Sequence, residues 1–325
     1  AIGMWSDASS VSSKFGSASE RVSLSFPVHI LEDARVIRES ILNHRRAITR
    51  EKSARRGFES YFGQKVFCID DAVANFRDDA ISCSEIEEFG KRFLVVSVHI
   101  ADVDESIEPD SDLDAIAKDR AQSIYLPAGP LHMLPPVLME ALSFNAEYAS
   151  EAVTVRMLID PESGQVEHYS IKLTYLPPAT ILTFQQASQA AKRTKELNLM
   201  LEAGDALSRY GRGKRNKNRS DYMSVRATGA QVVVEKYEFS DIHKAMDEIL
   251  NLAGNCIRRF AKSKKVFLPE RRGSQFFALR CGTAPMRKYM DLAVQRQIKS
   301  IIKGQSVGTQ EEMVALNKWL EKRLV

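Results

Sequence analysis

The sequence predicts an α+β fold in which strands dominate the first half of the chain and helices the second. Two observations support this class. Short apolar runs rich in β-branched residues, of which residues 93–100 form the longest, are typical of buried strands. Apolar residues recur at spacings of three and four within residues 242–262, which is typical of an amphipathic helix. We therefore expect a mixed β core with helices packed around it.

The other elements follow from the same patterns and from turn residues. The sequence predicts helices at 27–43, 112–122 and 184–202, strands at 66–69, 153–159 and 166–174, and a further helix that Pro285 opens.

The composition is that of an ordinary globular protein, with 325 residues, 44% hydrophobic and 27% charged. Its longest apolar stretch, residues 93–101, is too short to cross a bilayer, so we expect no membrane partner. The net charge of +4 does not indicate the kind of partner, because nearly equal numbers of acidic and basic residues can still be arranged with a strongly basic face. The four cysteines lack C-x-x-C spacing and lie in apolar segments, which favours buried thiols over zinc or disulfides.

Carboxylates cluster at the end of the first predicted strand and again at the start of the next segment. Asp70 and Asp71 are separated from Asp78 and Asp79 by a six-residue loop. Hard oxygen ligands that converge in this way suit Mg²⁺, and two such ions could activate a water for attack on a phosphodiester. On spacing alone, an Asp-rich surface turn explains the same pattern.

The sequence around this cluster carries several short motifs in a fixed order. They are Val-Phe-Cys-Ile-Asp at 66–70, Asp-Asp-Ala-Ile-Ser at 78–82, and further segments at 98–103, 107–114, 123–127, 133–135, 142–143, 248–255 and 283–292. Together they resemble the signature of the RNB family, the exoribonucleases of ribonuclease II and R type. The resemblance implies an RNB catalytic domain, with a mixed β core and helices that enclose an RNA channel.

Members of this family degrade single-stranded RNA from the 3′ end with Mg²⁺, one nucleotide at a time. The resemblance makes Asp70 and Asp79 metal ligands and Asp78 the carboxylate most directly tied to the chemistry. It makes Arg287 a clamp on the phosphate near the scissile bond. An ordinary i, i+4 surface pair between Arg287 and Asp291 is the alternative.

Two further positions follow from the resemblance. Glu248 corresponds to a helix residue near the terminal nucleotide, which makes it a candidate catalytic residue, and Tyr175 corresponds to a stacking or positioning aromatic. For Glu248 the alternative is a solvated helix face.

The sequence departs from the family pattern in three ways. Phe76 stands where the family has a fourth acidic residue, and a phenyl ring cannot ligate Mg²⁺. Asp71 is expected on the opposite face of the strand from Asp70, and Asp102 is the other carboxylate that could compensate. The domain is shortened between about residues 273 and 281. Neither the OB-type modules before the domain nor the S1-type module after it can be recognised.

A basic segment, residues 209–219, carries six cationic side chains, no acidic one and a tyrosine. Such a segment suits RNA phosphates and base stacking, and a solvated loop is the alternative. A second basic cluster covers residues 45–56. The predicted RNA-binding residues of the first segment are Tyr210, Arg212, Lys214, Arg215, Lys217 and Arg219.

Three segments are expected: an N-terminal extension at 1–43, an RNB-like domain at 44–305 and a helical tail at 306–325. Two functions remain open. One is a Mg²⁺-dependent 3′–5′ exoribonuclease of impaired activity. The other is a nuclease-dead RNA-binding scaffold or assembly factor in a larger ribonucleoprotein, as in ribosome assembly, and a helicase is a further candidate partner. The Ser-rich opening and the Cys-Ile-Asp motif, similar to the mitochondrial branch, predict an intracellular, mitochondrial protein.

Overall fold

The computed structural model describes residues 25–49, 57–72, 74–88, 90–126, 129–211, 223–228, 231–236, 239–269 and 281–323. In these ranges the chain forms eleven strands and eight α-helices, so the predicted α+β class is confirmed. The strands are β1 (Phe58–Ser60), β2 (Phe67–Asp70), β3 (Asp79–Glu88), β4 (Lys91–Ala101), β5 (Ile124–Leu126), β6 (Gly129–Leu131), β7 (Ser150–Ile159), β8 (Val166–Leu176), β9 (Thr180–Thr183), β10 (Met223–Thr228) and β11 (Gln231–Lys236).

The helices surround these strands, and no helix in the described ranges is long and apolar enough to cross a membrane. They are α1 (Val28–Ala47), α2 (Asp112–Arg120), α3 (Pro136–Leu142), α4 (Phe184–Ala191), α5 (Lys195–Gly211), α6 (Asp241–Ser263), α7 (Tyr289–Lys303) and α8 (Gln310–Arg323).

Seven strands form one mixed sheet in the order β1-β8-β7-β4-β3-β2-β9. The outer pairs β1–β8 and β2–β9 are parallel, and the pairs between them are antiparallel. β4 lies at the centre and is buried from Phe93 to Ala101. A strand that is covered on both faces needs apolar side chains at successive positions. The continuous apolar run of residues 93–100 therefore predicts this strand from the sequence.

Each face of the sheet carries its own hydrophobic core, because successive side chains of a strand point to opposite faces. In β2, Phe67 and Ile69 join the first core, which also includes residues of α5 and α6. Cys68 and its neighbour Val66 join the second core with residues of α1, α2 and α3. All four cysteines are buried in these cores, as predicted. The acidic end of β2 therefore lies between two packed layers.

Several predicted elements have different bounds in the structure. The helix expected to begin at Pro285 begins at Tyr289, and Pro285 lies in a turn that precedes it. The single helix expected at 184–202 is two helices, because the chain turns between Ala191 and Lys195. α1 runs through the expected domain boundary at residue 43. The three-segment division itself stays a prediction.

The second basic cluster of the sequence is in part structural. Arg45 is buried, and its guanidinium donates to the carbonyls of Ala149 and Ser143 at 2.9 and 3.0 Å. Burial lowers the pKa of Arg45 to about 10. Arg45 therefore anchors α1 to the domain and is not available to RNA, contrary to the prediction, while residues 50–56 lie outside the described ranges.

A buried histidine makes the stability of the folded sheet depend on pH. His99 on β4 is fully buried, and its ring nitrogens bond the hydroxyls of Ser82 at 2.9 Å and Thr154 at 2.8 Å. Burial lowers the pKa of His99 to about 3. The unfolded chain takes up a proton on this ring below about pH 6.5, whereas the folded chain does not until about pH 3.

We therefore predict that His99 makes the folded state less stable as pH falls below 6.5, by up to about 1.4 kcal/mol per pH unit. Urea unfolding between pH 7.5 and 5 measures this slope. The variant His99→Asn should flatten it, and His29→Asn, on the exposed surface of α1, is the control. Equal slopes for wild type and His99→Asn would contradict the prediction.

Candidate functional site

Two strands place the acidic residues at one end of the sheet. β2 ends at Asp70, and β3 begins at Asp79 and pairs with β2 through Phe67 and Ile81. Continuing this antiparallel register places Asp78 across from Asp70. The carbonyl of Asp78 accepts a hydrogen bond from the amide of Ala101 at 2.8 Å, which holds it against the end of β4.

The centre of the site is an ion pair between Asp78 and Arg287. The Asp78 side chain is fully buried, and its Oδ2 accepts from Nε of Arg287 at 2.6 Å. Its Oδ1 accepts from the amide of Met286 at 2.7 Å. Asp78 is the largest influence that raises the pKa of Arg287 above its ordinary value. Both carboxylate oxygens are thus engaged by donors from a turn more than 200 residues away in sequence.

Asp291 shapes the turn that carries these donors. Its buried carboxylate accepts from the amides of Gly282 at 3.1 Å and Ala284 at 3.0 Å. Burial raises the pKa of Asp291, and these amides oppose the shift. Gly282 has a φ of +73°, and a β-carbon there would approach Val294 to 2.8 Å, so only glycine fits. The alternative interpretation, an i, i+4 surface ion pair between Arg287 and Asp291, is therefore wrong, because each side chain has another partner.

Asp70 and Asp79 lie around the same guanidinium. Asp70 is partly buried, and its Oδ1 accepts from the amide of Asp71 at 2.9 Å. Burial raises the pKa of Asp70, and the charge of Arg287 opposes that shift. Asp79 helps to raise the pKa of Arg287. Asp78 thus contacts Arg287 directly and Asp70 and Asp79 interact with it through charge, while the roles of all three carboxylates stay predictions.

The position of the missing fourth carboxylate belongs to the protein core. Phe76 packs against the second core and meets the ring of His132 edge-on, with 5.1 Å between the centroids. Burial lowers the pKa of His132, and the charge of Arg120 adds to this shift. The local structure around Phe76 is thus a neutral aromatic contact rather than a ligand shell.

The described residues do not fit the Mg²⁺ centre that the family resemblance implies. The carboxylate of Asp78 is already paired with the guanidinium of Arg287, so a Mg²⁺ ion would have to compete with that cation for it. Phe76 supplies no lone pair. Within the described ranges, no three Asp, Glu, His or Cys side chains are arranged to hold a metal ion.

The two carboxylates considered as substitutes have other roles. Asp102 is buried and accepts from Nζ of Lys299 at 2.7 Å, so the expectation that it compensates for Phe76 is wrong. Asp71 is exposed, and its charge acts to raise the pKa of both its neighbour Asp70 and His243 at the start of α6.

The remaining site predictions fall in three places. Glu248 is half-buried on α6, and no described contact joins it to Asp78. Tyr175 is only 3% exposed and stacks on Phe58 with 4.6 Å between centroids, so it has no open ring face for a base. Tyr210 is 50% exposed near the end of α5. The other predicted RNA-binding residues, Arg212, Lys214, Arg215, Lys217 and Arg219, lie outside the described ranges.

Sequence reasoning missed one aromatic residue beside the site. Tyr125 on β5 is 63% exposed, and it follows by two residues Ser123, whose amide donates to the carbonyl of Arg287 at 2.8 Å. An exposed ring next to a cation that can meet phosphate suits base stacking. The signal was present in the Ser-Ile-Tyr-Leu-Pro motif at 123–127, which was used only to support the family resemblance.

Fold and site define an α+β domain with a nuclease-like acidic centre that is closed by an arginine. The chain belongs to the RNB family, because the RNB domain matches residues 58–276. The predicted family assignment is confirmed.

The chain is similar to ribonuclease II, chloroplastic/mitochondrial, of Arabidopsis thaliana, with 24% identity over 294 residues that cover 74% of this chain and 36% of that protein. It is 30% identical to ribonuclease R of Aquifex aeolicus over 164 residues, which cover 50% of this chain and 21% of that protein. The chain thus spans about a fifth to a third of the length of these relatives.

Two solved structures share the fold. The apo form of Mycoplasma genitalium RNase R matches 90% of this chain and 59% of its own with a TM-score of 0.72 and 15% identity. Yeast Ssd1, described as a pseudonuclease, matches 85% of this chain and 44% of its own with a TM-score of 0.63 and 15% identity.

We predict that Asp291→Ala lowers the free energy of unfolding by about 2–5 kcal/mol, because it leaves two buried amides without an acceptor. Asp291→Asn keeps one acceptor oxygen and should lose less. Urea unfolding measures both, with the exposed Glu32→Ala on α1 as a control that should change stability by no more than about 0.5 kcal/mol. A loss below about 1 kcal/mol for Asp291→Ala would show that the turn does not depend on this side chain.

Proposed function

We propose that this chain is an RNA-binding RNB domain whose centre no longer hydrolyses RNA. The observation that carries the proposal is the closed state of Asp78, whose two oxygens accept from Met286 and Arg287. The position two residues earlier, Phe76, is part of the core. The centre therefore retains its charges as a structural ion pair rather than as a set of metal ligands.

Energetics support the closed state. Withdrawing Arg287 with no other cation in its place would leave the buried carboxylate of Asp78 unpaired, and breaking a buried pair costs about 3–5 kcal/mol. The amide of Met286 would also lose its acceptor, which adds to that cost. The pair is therefore expected to persist in the absence of RNA.

RNA binding rests on the residues at the mouth of the site. The side chain of Arg287 is 35% exposed, and its remaining guanidinium donors can meet a phosphate. Tyr125 provides an open ring beside it. The fold neighbour Mycoplasma genitalium RNase R has been solved with single-stranded and double-stranded RNA, and single-stranded RNA is the proposed ligand of this chain.

A second candidate function is favoured by a specific observation. Asp70, Asp78 and Asp79 are all retained around Arg287, which a domain without catalytic constraint need not preserve. This alternative is a Mg²⁺-dependent 3′–5′ exoribonuclease of low activity.

The cellular setting is likewise a proposal. Similarity to a chloroplastic/mitochondrial ribonuclease supports a mitochondrial location, and similarity to a pseudonuclease supports a scaffold or assembly role in a ribonucleoprotein. A helicase partner follows only from the family resemblance.

We predict that the wild-type chain binds a 5′-labelled single-stranded RNA and produces no nucleotide ladder from it in the presence of Mg²⁺. Because Phe76 replaces a carboxylate, Phe76→Asp is the variant in which ladder formation should appear. Denaturing gel electrophoresis of timed samples measures the ladder.

Two variants make this assay decisive. Phe76→Leu keeps the core apolar and should stay inactive, so it separates a gained carboxylate from a loosened core. Asp78→Asn tests the alternative, since a wild-type ladder that Asp78→Asn abolishes would establish an active exoribonuclease and overturn the proposal. Circular dichroism confirms that each variant is folded.

We further predict that Tyr125→Ala weakens RNA binding by about 1–3 kcal/mol, the usual contribution of one aromatic–base stack. Fluorescence anisotropy with a labelled single-stranded RNA measures the affinity. Trp319→Ala on α8 removes another exposed aromatic, 41% exposed, away from the site and serves as the matched control. Equal effects of the two variants would contradict a specific stack at Tyr125.

A further inference from the structure

A second concave surface lies apart from the acidic centre. It is a groove of about 1190 Å³ between α1, the segment that follows β4, and the end of α7. Neither Asp78 nor Arg287 lines it. Its size exceeds that of a usual small-molecule pocket, which is about 300–1000 Å³, and suits a stretch of polypeptide.

The walls of the groove include apolar side chains that the protein itself leaves partly open. Ile37 and Ile41 on α1 are only partly buried, and they face Leu113 and Leu142 across the groove. Val36, at the rim, is 72% exposed. These side chains can bury further apolar surface when a partner covers them.

Part of the acidity of the groove is neutralised internally. Lys299, which is 1% exposed, bonds Asp102 at 2.7 Å and Glu105 at 2.9 Å. Arg296 pairs with Asp104 at 3.0 Å. These carboxylates therefore stabilise the walls of the groove through internal ion pairs, and their charge is largely neutralised before a partner binds.

The outer rim has acidic groups that remain available. Asp33 and Glu108 are exposed and form no ion pair with other described residues. Asp112 is also exposed, with the ring of His29 as its nearest cationic partner at 4.0 Å. Of the seven carboxylates that line the groove, Asp102, Asp104 and Glu105 are paired as described and Glu151 lies 3.0 Å from His44, which leaves Asp33, Glu108 and Asp112 at the rim. This face repels phosphates and attracts cations, although the whole chain has a net charge of +4.

We propose that this groove, lined by Val36, Ile37, Ile41, Asp33 and Glu108, is the docking site for a lysine- and arginine-rich segment of a partner protein that also carries apolar side chains. The apolar walls would bury its hydrophobic side chains, and the acidic rim would pair with its cations. RNA is disfavoured as the occupant, because its phosphates would face Asp33, Glu108 and Asp112. The domain thus presents one face to RNA and another to a basic protein segment.

The test uses the full chain and a defined probe. A fluorescein-labelled 16-residue peptide, of about the length that spans such a groove, alternates leucines at spacings of three and four with lysine and arginine. A glutamate-for-lysine version and a shuffled version of the same composition are the comparison probes. Binding is followed by anisotropy at low and high salt, because rim charges act strongly only at low ionic strength.

The variants separate charge from apolar contact. Asp33→Lys with Glu108→Lys should weaken binding of the basic peptide by at least about tenfold at low salt. Val36→Ser, which removes apolar surface without changing the charge, should weaken it at both low and high salt. Glu87→Lys with Glu88→Lys, on the exposed end of β3, is the matched control and should leave the affinity within about twofold. Single-stranded RNA binding should be unchanged in all of these variants, so failure of this proposal is distinguishable from failure of RNA binding.

Three results would overturn the proposal. Equal affinity for the basic and the acidic peptide would show that charge complementarity does not contribute to binding. Competition between RNA and the basic peptide, relieved by the Asp33→Lys and Glu108→Lys changes, would assign the groove to RNA. Light scattering that shows a dimer of the wild type and a monomer of Val36→Asp would assign it to a second copy of the chain.

Discussion

The interaction on which the rest of this structure depends is the closure of Asp78 by Met286 and Arg287. Asp78 lies immediately before β3, in the strand-rich first half of the chain, and its partners lie in the turn before α7. The pair therefore joins the two halves of the domain at the point where the sheet ends. Because it is buried, each partner requires the other, and Asp291 keeps the turn in the shape that presents both donors.

The same interaction explains why the site resembles a metal centre and yet does not provide one. The charge of Asp78 is already neutralised by a guanidinium, so a metal ion would have to compete with Arg287 for this carboxylate. At position 76 an aromatic contact with His132 has replaced a ligand. The Asp78–Arg287 pair and the phenylalanine at position 76 reinforce each other. A site with one carboxylate fewer binds a metal ion less tightly, and this favours the ion pair.

The two packed faces of the sheet also separate two kinds of surface. Beside the ends of β2 and β3, the half-buried Arg287 and the exposed Tyr125 suit a polyanion. At the groove along α1, Asp33 and Glu108 suit a polycation. The net charge of +4 conceals this division, because it sums over both surfaces. Together, the proposed RNA site and the proposed docking groove describe a domain that is suited to assembly in a ribonucleoprotein.

The sequence by itself determined the fold class and the membership of the acidic cluster. The apolar run of β4 and the periodicity of α6 are local signals, and the order of the RNB motifs identified Asp70, Asp78, Asp79 and Arg287 as neighbours. Such information is carried by residue type and spacing, which tertiary contacts do not alter.

Only the tertiary structure decided what those neighbours do. Residue spacing cannot show that both oxygens of Asp78 are engaged from 208 and 209 residues away, that Asp102 is neutralised by Lys299, or that Arg45 and Tyr175 are buried. Tyr125 was within a recognised motif, yet its proximity to Arg287 depends on how β5 meets the turn before α7. Long-range pairing and burial set the availability of a side chain, and both arise only when distant segments pack together.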